Sequence, residues 1–548
     1  MATKVNSQAP LMIEQPREIT SPIINRDDVH TRKPLVPEPV SLRQHLYPSL
    51  YQINTRVRLR DLSDTLRRQA TLDDIPDRDL DGLAEKGFDW VWYLGVWQTG
   101  SAGRKVSRGH HEWQAEFRHV LPDLLEEDIC GSCFAITQYA VDSEIGGNPA
   151  LERLYKRLHE RGLRLLLDFV PNHTALDHPW VQRHPEFYVR GTDEQLHREP
   201  QNYVRIETSG TQMVLAYGRD PYFSGWPDTL QLNYAEPSLQ EAMRLELLNV
   251  AAMCDGVRCD MAMLILPDVF ERTWGLRAEP FWPGTIQSIR SYKPEFLFMA
   301  EVYWDLEWTL QQQGFDYTYD KRLYDRLQDG HARPVYHHFR AHMEFQQKSA
   351  RFLENHDEPR AAATFAPGVH RAAAVLTYLC PGLRFFHDGQ FEGRAKRIPP
   401  HLGRRPDEPV ESSLSDFYDR LLTCVHEPEV RDGTWQLLDC VPAWEGNWTS
   451  DCFICFSWHR PSGLPLIVVV NYAANHSQCY LPIPFDEIRG HSICLQDLLS
   501  PAVYERDGDE LRSRGLYLDM PLWGYHVFRL APLNQAHGAQ TQFLRKDG

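Results

Sequence analysis

The 548-residue chain predicts an α/β fold: a (β/α)8 TIM barrel with an excursion domain after strand 3 and a C-terminal antiparallel β-sandwich domain. Three observations predict it. Short β-branched or aromatic runs alternate with helical stretches about eight times along the middle of the chain, the pattern of parallel strands with helices outside them. The run Leu163-Arg-Leu-Leu-Leu-Asp-Phe-Val170 is too apolar for a strand with one solvated face. After about residue 432 the texture changes to short strands separated by turn-rich stretches.

Each element has a local reason. Residues 51–59 read as the first strand. Phe88-Asp-Trp-Val-Trp-Tyr-Leu94, the second, follows an amphipathic segment closed by Gly87. Asn148-Pro149 offer an N-cap and a first-turn proline for a helix through Glu160, and Gly162 stops it. The Leu163 run is then strand three. Ser238 caps a helix presenting Leu239, Ala242, Met243, Leu247 and Val250 at helical spacing. Residues 256–260, 296–302, 315–319, 351–355 and 383–387 supply the remaining strands. Their uneven spacing locates an insertion, because 172–232 is long, aromatic and poor in helix. Beyond 432, the strand candidates are 452–458, 466–472, 479–483, 516–520 and 525–530. The predicted layout is a flexible tail 1–40, a barrel 41–171 and 233–431, an inserted domain 172–232, a β domain 432–533 and a flexible tail 534–548.

Composition narrows the function classes. Apolar residues make up 42% and charged residues 24%, which excludes global disorder. The net charge of −17 repels phosphate backbones, so nucleic acid is not an expected partner. Fifteen Trp and twenty-three Tyr exceed what a core needs and suit stacking on a sugar or a nucleobase. The longest apolar run in residues 1–40 is Leu11-Met12-Ile13, far short of the ~7–15 residues of a signal peptide or the ~18 of a membrane span. Eleven cysteines, an odd number, fit a reducing cytosol, so a cytoplasmic location is expected. The pairs Cys130–Cys133 and Cys452–Cys455 lie too far apart in sequence for one zinc site, and strand alternation puts the second pair's sulfurs on opposite faces. Unpaired core thiols and no metal are expected there.

The chemistry is concentrated where barrel enzymes keep it, at the strand ends. Strand three runs into Asp168-Phe-Val-Pro-Asn-His173. The fourth contains Gly256-Val-Arg258-Cys-Asp260, and the fifth Met299-Ala-Glu301-Val-Tyr-Trp304. The seventh leads into Asn355-His356-Asp357-Glu-Pro-Arg360. If the barrel closes, four apolar runs bring ionisable groups to one point, and burying them together is costly unless pairing or function compensates. Taken singly, Arg-x-Asp reads as an ion pair and the Asn-His-Asp string as a capping turn.

Together and in this order, the four strings resemble the ordered sequence regions of the α-amylase superfamily, glycoside hydrolase family 13, on strands three, four, five and seven. Gly131-Ser-Cys-Phe-Ala-Ile-Thr-Gln-Tyr139 is similar to the family segment after strand two, and Leu232-Asn-Tyr234 to its exit from the excursion domain. The resemblance covers about residues 45–530. It implies Asp260 as nucleophile, Glu301 as general acid/base and Asp357 as a transition-state stabiliser holding sugar hydroxyls. It implies Arg258 as the group that orients Asp260, with Asp168, His173, His356, Phe134 and Arg360 contributing to substrate binding. Such chemistry requires a carboxylic acid of raised pKa, an anion beneath an oxocarbenium-like ring and, for retention, carboxyls ~5–5.5 Å apart.

Departures from the family pattern bear on substrate. Many α-amylases have Lys-His three and four residues after the nucleophile; here Met263-Leu264 stand there, and Phe134 replaces a usual Tyr. Asn172 matches a common calcium ligand without identifiable partner carboxylates, so no cofactor is required by the sequence, although calcium stays open. The loop Gly393-Arg394-Ala-Lys396-Arg397-Ile-Pro-Pro-His401-Leu-Gly-Arg404-Arg405 reads either as a solvated loop paired to local acids or as an anion site. The reading is therefore a retaining α-glucoside hydrolase or transglycosylase acting on α-glucans or malto-oligosaccharides. The alternatives are a phosphorylase or glucosyltransferase with a small donor such as sucrose or trehalose, and a non-catalytic glucan-binding scaffold. Neither a membrane nor nucleic acid is an expected partner, and the sequence does not speak to oligomeric state.

Overall fold

The computed structural model describes residues 45–208, 210–461 and 463–533; the two tails expected at 1–40 and 534–548 lie outside the described residues. Eight strands form a closed barrel: β1 (Ser49–Asn54), β2 (Trp90–Leu94), β3 (Arg164–Phe169), β4 (Gly256–Cys259), β5 (Leu297–Ala300), β6 (Tyr317–Tyr319), β7 (Ser349–Arg351) and β8 (Leu383–His387). Neighbours follow chain order around the barrel, β8 returns to β1, and every pairing is parallel. All residues of β2, β4, β5, β7 and β8 are buried, because side chains fill the barrel inside while helices cover it outside.

Several boundaries differ from the sequence reading for local reasons. The first strand stops at Asn54, whose side chain accepts from Val57 N and starts the helix Thr55–Leu66. Asn148 lies inside the helix Gly147–His159 and accepts from Val141 N instead of capping. Pro237, not Ser238, opens the next helix, with Glu236 at the cap. The seventh strand's ladder ends at Arg351, so the Asn-His-Asp string hangs from an irregular exit.

Between β3 and the helix Pro237–Ala251, the chain makes its excursion. Its neck is the antiparallel pair His173–Ala175 with Thr229–Gln231, and a hairpin pairs Tyr203–Thr208 with Thr211–Ala216. Short helices Trp180–Arg183 and Asp193–Arg198 accompany them.

The C-terminal part is all antiparallel. Its strands are β9 (Thr434–Leu438), β10 (Phe453–His459), β11 (Leu466–Asn471), β12 (Ser477–Leu481), β13 (Ser492–Asp497), β14 (Val503–Asp507), β15 (Leu516–Met520) and β16 (Tyr525–Pro532). Six make one sheet in the order β9-β10-β11-β16-β13-β14, and β12 pairs with β15 in a second. Alternation along β10 and β11 decides what each face does. Ile454, Phe456, Trp458, Leu466, Val468 and Val470 join the barrel's core, whereas Phe453, Cys455, Ile467 and Val469 face the two-stranded sheet. Trp458 Nε1 donates to Leu379 O at 2.7 Å and Tyr472 OH to Leu327 O at 2.7 Å, fastening this domain to the barrel. Among the described residues, no helix is long and apolar enough to cross a membrane.

Candidate active site

The barrel's own ladder builds the site. Arg258 on β4 is in register with Asp168 on β3, so both point inward at the same level. Asp260 follows two residues later on the same face, and its N–H donates to Phe169 O at 2.8 Å. Glu301 N donates to Cys259 O at 3.0 Å, and Ala262 N to Glu301 O at 3.0 Å. Sheet hydrogen bonds thus run through the functional residues themselves and fix their directions.

Arg258 is the hub. It is fully buried; one terminal nitrogen lies 2.7 Å from Asp260 Oδ1 and the other 2.7 Å from Glu301 Oε2. Asp168 Oδ1 is 3.8 Å and Asp357 Oδ2 3.9 Å from the same guanidinium. Phe134 lies over it at 5.1 Å, Trp92 at 5.4 Å and Tyr319 at 6.0 Å, walls that exclude water and strengthen its interactions. Four carboxyls around one cation leave the pocket negative. That favours a proton on one of them, and it suits a cationic transition state.

The shifts set the acids apart. Burial raises Glu301 to about 7; Arg258 opposes this, while Asp260 and Asp357 add to it. Burial also raises Asp260, against the pull of Arg258. For Asp357, burial is outweighed by His356 and Arg258, which hold it down at about 2. Its side chain is 36% exposed, far more than those of Asp260 and Glu301, so it forms the open lip of the pocket. His356 Nε2 lies 3.0 Å from Asp357 Oδ2, and its other ring nitrogen is 2.8 Å from Gln52 Nε2 at the end of β1.

Asp168 accepts from Gly95 N at 3.1 Å through Oδ2, while its buried Oδ1 has no hydrogen-bond partner among the described residues. Tyr303 OH donates to Glu301 Oε1 at 2.9 Å and Met261 N to Oε2 at 2.8 Å. Met261 takes φ +41° to present that N–H, and Trp304 and Asp305 beyond Glu301 also have positive φ. Backbone held in this sparsely populated region is characteristic of functional loops.

The structure thus gathers Asp168, Arg258, Asp260, Glu301, His356, Asp357 and Phe134. His173 stands at the neck of the excursion, beside the Trp226 ring (5.2 Å), and burial lowers it to about 4, so it is neutral. Arg360 is the exception among the predicted contacts. Its guanidinium is taken up by Glu354, by Asp388 O at 2.8 Å and by Lys396 O at 3.4 Å, tying the exit of β7 to the loop after β8. It positions that loop instead of facing sugar. Met263 and Leu264 lie in a fully buried turn, Ala262–Ile265, so neither supplies a polar group to an acceptor. Gln52, Gly95 and Tyr303 were not predicted. A glutamine inside an apolar strand was a readable signal, whereas a backbone N–H and a local Tyr contact left none.

Calcium is not well matched by the side chains around Asn172, and most cations of the basic loop are already paired. Asn172 Oδ1 accepts from Gln231 Nε2 at 3.0 Å, and no group of three or more His, Cys, Asp or Glu suited to a metal occurs among the described residues. The residues around Asn172 therefore do not fit a calcium site. In the basic loop, Arg397 pairs with Glu116, Arg404 with Asp123 and Asp128, and Arg405 with Asp61 and Asp388, which favours the solvated-loop reading for these three; Lys396 donates to Val120 O, and the buried Nε of Arg394 has no hydrogen-bond partner among the described residues.

Comparison with known proteins agrees with this geometry. The chain is 26% identical over 306 residues to the alpha-amylase MalA of Haloarcula japonica, matching 54% of this chain and 42% of that protein. It is 22% identical over 302 residues to alpha-amylase 3 of Dictyoglomus thermophilum, matching 51% and 57%. The chain thus spans about half the length of these two curated relatives. The maltogenic alpha-amylase AmyB of Thermotoga neapolitana superposes with a TM-score of 0.63 at 19% identity, over 89% of this chain and 99% of that one, and shares the fold. Residues 133–398 match the family model "Alpha amylase, catalytic domain". With the closed barrel and the excursion after β3, this match, which spans the hub residues, supports placing the catalytic part of the chain, residues 133–398, in the α-amylase superfamily.

Proposed function

We propose that the protein is a retaining enzyme of α-amylase type that hydrolyses or transfers α-glucosyl units of α-glucans or malto-oligosaccharides. The observation carrying the proposal is the single guanidinium of Arg258, which holds Asp260 and Glu301 at 2.7 Å each with Asp168 and Asp357 within 4 Å.

Asp260, kept ionised by Arg258, attacks the anomeric carbon and forms a covalent glycosyl-enzyme. Glu301, near pKa 7, gives its proton to the departing oxygen and then takes one from the incoming water or sugar hydroxyl. Asp357 and the Asp168 oxygen that lacks a hydrogen-bond partner receive the ring hydroxyls, and the net negative pocket stabilises the oxocarbenium-like state. Tyr303 and Met261 N hold Glu301 in place before substrate arrives.

Product analysis tests the reading. Pure protein is incubated with maltoheptaose, sucrose or trehalose, with and without phosphate, and the first-formed anomer is followed by NMR. Turnover of maltoheptaose with an α-anomeric product, absent in Asp260→Asn, supports it. Phosphate-dependent glucose 1-phosphate would replace it with the phosphorylase, and turnover of no sugar with the scaffold.

A further inference from the structure

All eleven cysteines are free, and most are buried singly. Three are not. Cys440 Sγ lies 3.5 Å from Cys455 Sγ, and Cys479 hydrogen-bonds the same Cys440 sulfur. They come from separate segments: Cys440 follows β9, Cys455 is on β10 and Cys479 on β12, and they meet between the two sheets of the C-terminal domain. Cys452, three residues before Cys455, turns instead toward Asn475.

Exposure separates the three. Cys455 and Cys479 are completely buried, whereas Cys440 is partly exposed. A dissolved reagent therefore reaches Cys440 first and finds a second sulfur in van der Waals contact behind it. The two neighbouring thiols donate to Cys440 and hold it down at about 5, while burial pushes Cys455 up. Partial exposure of Cys440 and the sulfur 3.5 Å from its own make it the first of the three thiols to meet an oxidant, with Cys455 placed to resolve it. No fourth ligand joins them to make a metal site among the described residues.

We propose that Cys440 and Cys455 are an oxidation site, in which a hydroperoxide oxidises Cys440 and Cys455 resolves it as an intrachain disulfide. The Cys440 thiolate attacks one peroxide oxygen: an S–O bond forms, the O–O bond breaks, and the leaving hydroxide is protonated to water. Cys455 then attacks the sulfenic sulfur, its proton going to the departing oxygen as the S–O bond breaks and a second water leaves. Two thiols and one hydrogen peroxide give one disulfide and two waters. The bond would pin the segment after β9, where Asp439 accepts from the Tyr336 hydroxyl of the barrel helix Ala332–Phe339. It would also anchor one end of the loop that carries the exposed Trp444 and Trp448.

Native full-length protein is treated with hydrogen peroxide, alkylated, digested without reductant and mapped by mass spectrometry. The expected result is one new cross-linked pair, the Cys440 and Cys455 peptides, two fewer alkylatable thiols, and reversal by dithiothreitol. Cys440→Ser is expected to abolish it, and Cys455→Ala to leave a sulfenic acid trapped by dimedone. Should Cys455→Ala fail to fold, the wild-type map decides alone. Full alkylation of Cys440 after peroxide, direct passage to sulfinic acid, or a bond from Cys440 to Cys479 would overturn the assignment.

Discussion

Glu301 and Asp260 share one cation yet are asked to do opposite things, and pH separates them. As general acid in the first step of the proposed mechanism, Glu301 must be protonated, so kcat/KM is expected to fall about tenfold per pH unit above about 7. The acid limb follows ionisation of Asp260, which burial places above the ordinary Asp range. A pH profile of kcat/KM checks this: Glu301→Gln should remove the alkaline limb along with most activity, and a limb unchanged in that variant would assign it elsewhere. Asp260→Asn should lower kcat by on the order of 10⁴-fold or more while leaving the fold intact, as loss of a nucleophile does. Arg258→Met leaves two buried carboxyls without their partner and is expected to destabilise the protein by about 3–5 kcal/mol, measured by urea unfolding. It should also raise the pKa of Glu301, moving the alkaline limb upward, because Arg258 is the group that lowers it.

The strands that carry these residues tolerate little change. Gly256 opens β4, and a Cβ there would lie 2.8 Å from the Leu297 carbonyl oxygen and 3.0 Å from Leu166 Cδ1. Gly256→Ala must therefore push β4 from β3 and β5, at a cost of about 1–3 kcal/mol. Arg258 and Asp260 should shift with it, so calorimetry should show a lower Tm together with a disproportionate fall in kcat. At this scale the sequence was most readable where patterns are local. The apolar run of β3, the Leu383–His387 strand and the acids at the strand ends stood out, because strands buried on both sides allow few polar residues without purpose. The strands β9, β13 and β14 did not stand out. All five residues of β14 are exposed, so no alternation marks them. Arg360 followed a family-like string but was captured by Glu354 and two carbonyls. Cys455 was readable as a buried thiol, yet its neighbour Cys440 is a contact that only the sheet packing creates.

At the scale of the molecule, barrel and C-terminal sheet share one core. Trp458, Val468, Val470 and Val527 are buried with barrel residues, and Arg529 pairs with Glu427 across the junction. Removing residues 433–548 would expose that apolar face and leave Leu379 O and Leu327 O without their donors. The truncated chain is expected to aggregate, while the intact chain unfolds in one calorimetric transition. Two well-separated transitions would show the parts to be energetically independent.

Trapping the glycosyl-enzyme tests Asp260 as the nucleophile directly. Glu301→Gln protein, slowed in its second step, is incubated with maltosyl or glucosyl fluoride, quenched in acid, digested and sequenced by mass spectrometry. A glycosyl ester is expected on the peptide containing Asp260 and on that residue. An ester on Asp357 or Asp168, or turnover of the fluoride with no ester at any carboxylate, would contradict it.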